Sequence, residues 1–296
     1  MIGLGHFAFE NVEDFRMRLV RFGARGSERP GLIDREDEVR DLSQHVRSLS
    51  GASLDPDALR ALALIDAASL PLAPAGARLC APLSRIGKII GVGPNFEASA
   101  SLAGFKSSPE PTVFMKATSA ISGPNDPIEI PRMSNRTDWG VELAVVIGRT
   151  AKYIRVEDAM QHVAGFTLAN DVTERSLQLQ RGGQWTKGKS HDTFAPLGPW
   201  LVTPDELQDY GDLTLWLEVN GVRQQQGSTA DMIFKVPYLV SYLSRFTRLE
   251  PGDVILTGTP GGVGLSYDPP RFLAVGDRMR LGATGLGVQD YVCVSS

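Results

Sequence analysis

Between Thr137 and Gly148 the chain reads TDWGVELAVVIG, with Val141, Leu143, Ala144, Val145, Val146 and Ile147 apolar in near-continuous order. Such a run predicts a strand buried on both faces. Similar short apolar runs, broken by glycine or proline, recur in KIIGVG, LTLWLEVNG, DVILTGTPGGVG and GDRMRLGATGLG. The Asn-Gly pair in LEVNGVRQQQ marks a hairpin. Helical patterns are fewer: LDPDALRALALIDAASL, with Asp55 as cap and Pro56 in the first turn, then RVEDAMQHVAGF and MIFKVPYLVSYLSRF. The pattern predicts an α+β chain that is mostly β, a sandwich or roll rather than alternating βαβ units.

RMRLVRFGA and RPGLIDREDEVRDLS predict short strands near the start. Together with the helix at Pro56 they suggest a small N-terminal α/β domain over residues 1–75. PLAPAGARLCAP then reads as a linker, and residues 76–296 as a larger domain.

One charge, Glu142, interrupts the apolar run. A carboxylate buried there needs a cation, a donor or a metal. On an extended strand Asp138, Gly140 and Glu142 share a face. A glycine therefore stands where a second carboxylate would point at the same spot.

Bulk properties narrow the class. The net charge of −4 gives no electrostatic footprint for nucleic acid. No run reaches the ~18 apolar residues of a membrane span. The start, MIGLGHFAFENVEDF, lacks the basic segment of a secretory signal. Cys80 and Cys293 match no metal spacing and read as free thiols, which points to the cytoplasm.

Other candidate chemistry is scattered. Asp171 ends the strand-like run AGFTLAND, with Arg175 and Gln178 following at helical spacing. GGQWTKGKSHDTF brings Lys187, Lys189, His191 and Asp192. The glycines of LTGTPGGVG, Gly258 among them, allow close backbone approach to a ligand, but the spacing fits no phosphate or dinucleotide loop. For Glu142 and Asp171, a buried salt bridge or a strand-end cap is the alternative reading.

Four stretches in this order, DWGVELAVVIG, NDVTERSLQ, GKSHDTFAPLGPW and PGDVILTGTPGGVG, resemble the fumarylacetoacetate hydrolase family from about Lys88 onward. GGQWTKGKS is most similar to the branch of ureidoglycolate lyases and 2,4-diketo-3-deoxy-sugar-acid hydrolases. The resemblance implies a mixed β-roll, a homodimer, and a divalent ion held by three carboxylates. Two of these match Glu142 and Asp171, and the third falls on Gly140. It also implies that Lys189 stabilises negative charge on substrate, and that Arg175 and Gln178 contact substrate and its oxyanion. Thr259 and Gly258 match the substrate-contacting TGTP turn, and Lys116, Asn95 and Phe96 lie in stretches placed near the pocket.

A second departure accompanies Gly140. Family hydrolases carry a His–Glu pair that activates water, and those positions fall on Ser99 and Leu102 of GPNFEASASLAGF. Neither side chain serves as an unaided base near neutral pH. Three departures together read as natural divergence. His191 is a candidate replacement base if KGKSHD is extended, since it would share a face with Lys189; a packing or surface histidine is the other reading. Asp138, about 6.6 Å along the strand from Gly140, would reach an ion only through distortion.

With one ligand missing, Mg2+ or Mn2+ is expected to be weakly bound or absent, arriving with the substrate. The expected function is that of a divergent enzyme on a small β-dicarbonyl or 2-oxo acid, acting through enolate stabilisation. C–C hydrolysis stands beside isomerisation, decarboxylation and cyclisation, which need no activated water. A non-catalytic dimeric ligand-binding or scaffolding relative is the alternative. The stretch ASASLAGFKSSPEPT is the expected lid.

Overall fold

The computed structural model describes residues 17–97, 108–207 and 209–296. A ten-stranded sheet dominates. Nine of its strands run in the order Val39–Asp41, Arg29–Ile33, Arg18–Phe22, Leu201–Val202, Val163–Asn170, Val141–Ile147, Val254–Leu256, Ile89–Val92 and Val113–Lys116. The tenth, Leu79–Cys80, also pairs with Arg18–Phe22. Neighbours are antiparallel except Val254–Leu256 beside Ile89–Val92, which makes the sheet mixed. A second, five-stranded sheet joins Val222–Ser228, Thr214–Val219, Arg278–Ala283, Gly287–Ser295 and Ile128–Ile130. This is the mostly β α+β architecture that the residue pattern and the resemblance predict.

The first strands do not form a sheet of their own. Arg18 pairs with Val202 and Leu19 with Leu201, so the segment expected to be a small N-terminal unit contributes strands to the main sheet.

Val141–Ile147 lies near the middle of the large sheet, paired on both sides, and all seven residues are buried. That explains its lack of alternation: both faces are covered, so apolar side chains are favoured at every position. Residues from both sheets, including Val145, Phe166, Leu215 and Leu281, belong to one apolar core.

Local chemistry sets the helices. Asp55 caps Pro56–Ala63 by accepting the Asp57 N–H at 2.9 Å, and the missing N–H of Pro56 costs nothing at the first helical position. Val236–Ser244 likewise carries a proline, Pro237, in its first turn. RVEDAMQHVAGF is not one helix. Val156–His162 is a 3-10 helix, and Val163 begins the eight-residue strand that ends at Asn170. Asn220 and Gly221, both at positive φ, turn the predicted hairpin.

Candidate active site

Glu142 is the second residue of the central strand and is 2% exposed. Its Oε2 accepts the Gly258 N–H at 2.8 Å. The turn bearing that donor is tied to the same strand. Thr257 Oγ1 donates to the Leu143 carbonyl and Thr259 Oγ1 to the Val141 carbonyl, both at 2.9 Å. Gly258 has a φ of +94°, and a Cβ there would sit 2.8 Å from the Asn95 Cβ. A side chain is therefore excluded twice, by conformation and by space. Burial, followed by the neighbouring Asp171 carboxylate, pushes the Glu142 carboxyl well above the usual range.

Asp171 follows immediately after the strand Val163–Asn170. Its Oδ1 accepts from Lys116 Nζ at 2.6 Å, and its Oδ2 accepts from Lys189 Nζ. Lys116 ends the edge strand Val113–Lys116 and also donates to the Val172 carbonyl at 3.0 Å. Lys189 ends the short helix Thr186–Lys189, and its ammonium lies 4.4 Å from the centre of the Phe114 ring. Burial pushes both lysines down, Lys116 to about 8, despite the Asp171 charge beside each. Burial would raise Asp171, but the two ammoniums outweigh it and hold its carboxyl below the usual range.

Beside this cluster, Arg175 and Gln178 share the helix Arg175–Leu179, and Arg175 Nη1 donates to Gln178 Oε1 at 2.9 Å. Arg175 Nε donates to Asp138 Oδ2 at 2.7 Å. Asp138 also accepts the backbone N–H groups of Trp139, Gly264 and Leu265. Its carboxylate is thus committed to holding the GGVG loop and Arg175, not an ion beside Gly140. The side chains of Asp171, Lys189 and Arg175 are nearly covered, keeping 5, 6 and 8% of their surface exposed. Two surface hollows, about 490 Å³ by Trp200 and Trp216 and about 340 Å³ by Lys152 and Phe246, are not lined by these residues.

The remaining sequence candidates divide. Asn95 is fully buried, its amide donating to the carbonyls of Phe234 and Thr257 while its oxygen accepts the Phe234 N–H. Both of its donors are thereby spent on backbone. Phe96 is buried and bridges to Met232. Thr259 Oγ1 also accepts from Gln225 Nε2 at 2.8 Å. Lys189 closes a helical turn, so the extended geometry that would put His191 on its face is not the one adopted. The His191 ring instead packs 5.1 Å from Phe194, its buried Nε2 has no hydrogen-bond partner among the described residues, and burial pushes its pKa down. Ser99, Leu102 and most of the expected lid lie outside the described residues.

Sequence reasoning missed the part played by Gln225. Its side chain accepts the Val141 N–H at 3.0 Å and donates to Thr259 and the Pro260 carbonyl, clamping the Gly258 turn to the central strand. Nothing local in RQQQG singles it out. Only the fold brings it to residues 84 positions away.

Residues 88–292 match the family described as Fumarylacetoacetate (FAA) hydrolase C-terminal. The chain belongs to the fumarylacetoacetate hydrolase family. A Burkholderia ambifaria relative, named only as a hydrolase, is 52% identical over 274 residues, covering 92% of this chain and 97% of its own. Among solved structures, the fumarylacetoacetate hydrolase of Exiguobacterium antarcticum is similar at a TM-score of 0.83 and 33% identity, over 95% of this chain and 100% of that one. The 2-hydroxyhepta-2,4-diene-1,7-dioate isomerase of Mycobacterium marinum is similar at 0.76 and 33%, over 95% and 99%. Hydrolysis and isomerisation thus both occur on this fold. Among the described residues no helix is long and apolar enough to cross a membrane.

The donor set present here differs from the three carboxylates that the resemblance implies. Among the described residues no three His, Cys, Asp or Glu side chains are grouped to hold a metal ion. Gly140 brings no donor, both oxygens of Asp171 are taken by ammoniums, and Asp138 is engaged elsewhere. These residues do not fit the resident Mg2+ or Mn2+ that the resemblance implies.

Proposed function

We propose that this fumarylacetoacetate hydrolase family member is an enzyme of small 2-oxo or β-dicarbonyl acids, acting by stabilising an enolate. The supporting observation is the Asp171 carboxylate held between the ammoniums of Lys116 and Lys189, with Arg175 alongside and 8% of its side chain exposed. Lys189 and Arg175 are the cations with exposed surface, so they receive the substrate's carboxylate and the oxygen that becomes negative. Fixed cations in a water-poor site favour the enolate more than the ketone, because charge grows on its oxygen as carbon dioxide leaves, or as the C–H proton passes to a water molecule. Lys116 holds Asp171 in place, and Gln178 orients Arg175.

Ser99 and Leu102 stand where family hydrolases carry the water-activating pair, which favours keto–enol isomerisation or decarboxylation over C–C hydrolysis. Supply of oxaloacetate and acylpyruvates to purified protein tests this, with enol absorbance and carbon dioxide release followed in EDTA and then in excess Mg2+. Enol conversion or decarboxylation that Lys189→Ala lowers at least 100-fold, in a variant that still melts cooperatively, supports the reading. Cleavage products instead would assign hydrolysis. Failure to convert any of these acids under either condition would overturn the enzyme reading.

A further inference from the structure

Resting on that reading of the site, we infer that Lys116 is the resident cation of this pocket. Its ammonium takes the place of a divalent ion, and the anionic ligand binds Lys189 and Arg175 with no metal required. Three observations carry this. First, Lys116 Nζ is buried and tied at 2.6 Å to Asp171 Oδ1 and at 3.0 Å to the Val172 carbonyl, so the fold fixes it as it would fix an ion. Secondly, two carboxylates, Glu142 and Asp171, and two ammoniums, Lys116 and Lys189, act on one another here, while the guanidinium of Arg175 beside Lys189 is matched by its own partner Asp138. Even with both acids ionised the cluster is already neutral. A dication would sit against two like charges where the effective dielectric is low. Thirdly, Gly140 has room for the first carbon of a side chain. A Cβ on Gly140 would meet the Thr259 side chain at 3.4 Å and the Asp171 carbonyl at 3.5 Å, ordinary contact distances. The glycine is therefore not forced by crowding, and its effect is to remove a negative charge.

The hydrogen-bond inventory assigns the ligand. An ammonium has three N–H groups, and Lys116 gives two of them to Asp171 and Val172 with its side chain wholly covered. Lys189 gives one to Asp171 and keeps exposed surface, as does Arg175. A planar carboxylate with a neighbouring carbonyl oxygen, the head group of a 2-oxo acid, matches an ammonium and a guanidinium side by side.

The test uses the whole chain stripped with EDTA. Mn2+ is titrated to millimolar concentration and followed by electron paramagnetic resonance, and oxalate is titrated with thermal unfolding as readout, in EDTA and in excess Mg2+. The expected result is no saturable Mn2+ site in the wild type and an oxalate-induced rise in Tm equal in both buffers. Gly140→Glu and Lys116→Met should each gain a saturable Mn2+ site, half-filled at no more than one-tenth of the highest Mn2+ concentration used on the wild type. One Mn2+ bound per wild-type chain, or an oxalate effect that needs Mg2+, overturns the inference. Such results leave the enzyme reading standing. Oxalate without effect in either buffer overturns the assignment of the ligand to Lys189 and Arg175. Because the wild-type titrations decide, misfolding of either variant leaves the test intact.

Discussion

Lys116 and Asp171 come from segments 55 residues apart and meet at 2.6 Å, the lysine side chain wholly covered and the aspartate 5% exposed. Removing one partner of a buried pair leaves the other charge uncompensated. Lys116→Met should lower stability by about 3 kcal/mol, the usual scale for such a loss. Urea unfolding would show this as a lower midpoint with unchanged slope. A loss below about 1 kcal/mol would mean that Lys189 alone satisfies Asp171.

The same lysine sets a pH dependence with opposite signs for two readouts. Lys116 falls to about 8 from 10.5, mainly through burial, with Asp171, Lys189 and Glu142 facing it. Below about 8 it is charged in the folded chain, and the burial cost is present. Between about 8 and 10.5 the unfolded chain holds a proton that the folded chain has released, so this group makes stability rise with pH. Over the same step the pocket loses one positive charge. Oxalate affinity should therefore fall between pH 7 and 9, by roughly threefold to tenfold for one nearby charge. Calorimetric titration at several pH values measures it, and an affinity flat across this range would exclude Lys116 from the ligand's field.

Two glycines of the site should respond differently to alanine. At Gly140 the added Cβ meets only ordinary contacts, and Gly140→Ala should change stability by less than about 1 kcal/mol. At Gly258 the φ of +94° and the 2.8 Å approach of Asn95 both oppose a side chain. Gly258→Ala should cost about 2 kcal/mol or more and turn the N–H away from Glu142. Thermal unfolding of the two variants side by side makes the comparison.

Asn95 provides a further check on which residues touch ligand. Its amide joins Phe234 and Thr257, holding the Gly258 turn to the segment before Val236–Ser244. Asn95→Ala should lower stability by about 3 kcal/mol, since several buried backbone groups lose their partners. Any residual folded protein should keep its oxalate Kd within about twofold, which is under 0.5 kcal/mol. A selective loss of affinity in a stable Asn95→Ala protein would place this side chain against the ligand instead.

The residue pattern revealed the central strand because six of the seven residues of Val141–Ile147 are apolar and four of those are β-branched, and Asp55, Pro56 and Asn220–Gly221 announced their own elements. RVEDAMQHVAGF was misread because an apolar run starting at Val163 suits a helix and a buried strand equally, and only the pairing of Phe166 with Val145 and Val202 decides. Four spaced motifs were enough for the family. The electrostatics of the site were less legible. Asp138 finds its donors in Gly264 and Leu265, and Lys116 finds Asp171, through tertiary contacts that no local spacing encodes.

The pairing of Arg18–Phe22 with Leu201–Val202 has a consequence for truncation. A fragment beginning at residue 76 would uncover the backbone donors and acceptors along Leu201–Val202 and leave Phe166 and Leu168 beside a raw sheet edge. Bare edges of that kind recruit other chains. Such a fragment, although it would retain every side chain of the lysine–carboxylate cluster, should aggregate on expression.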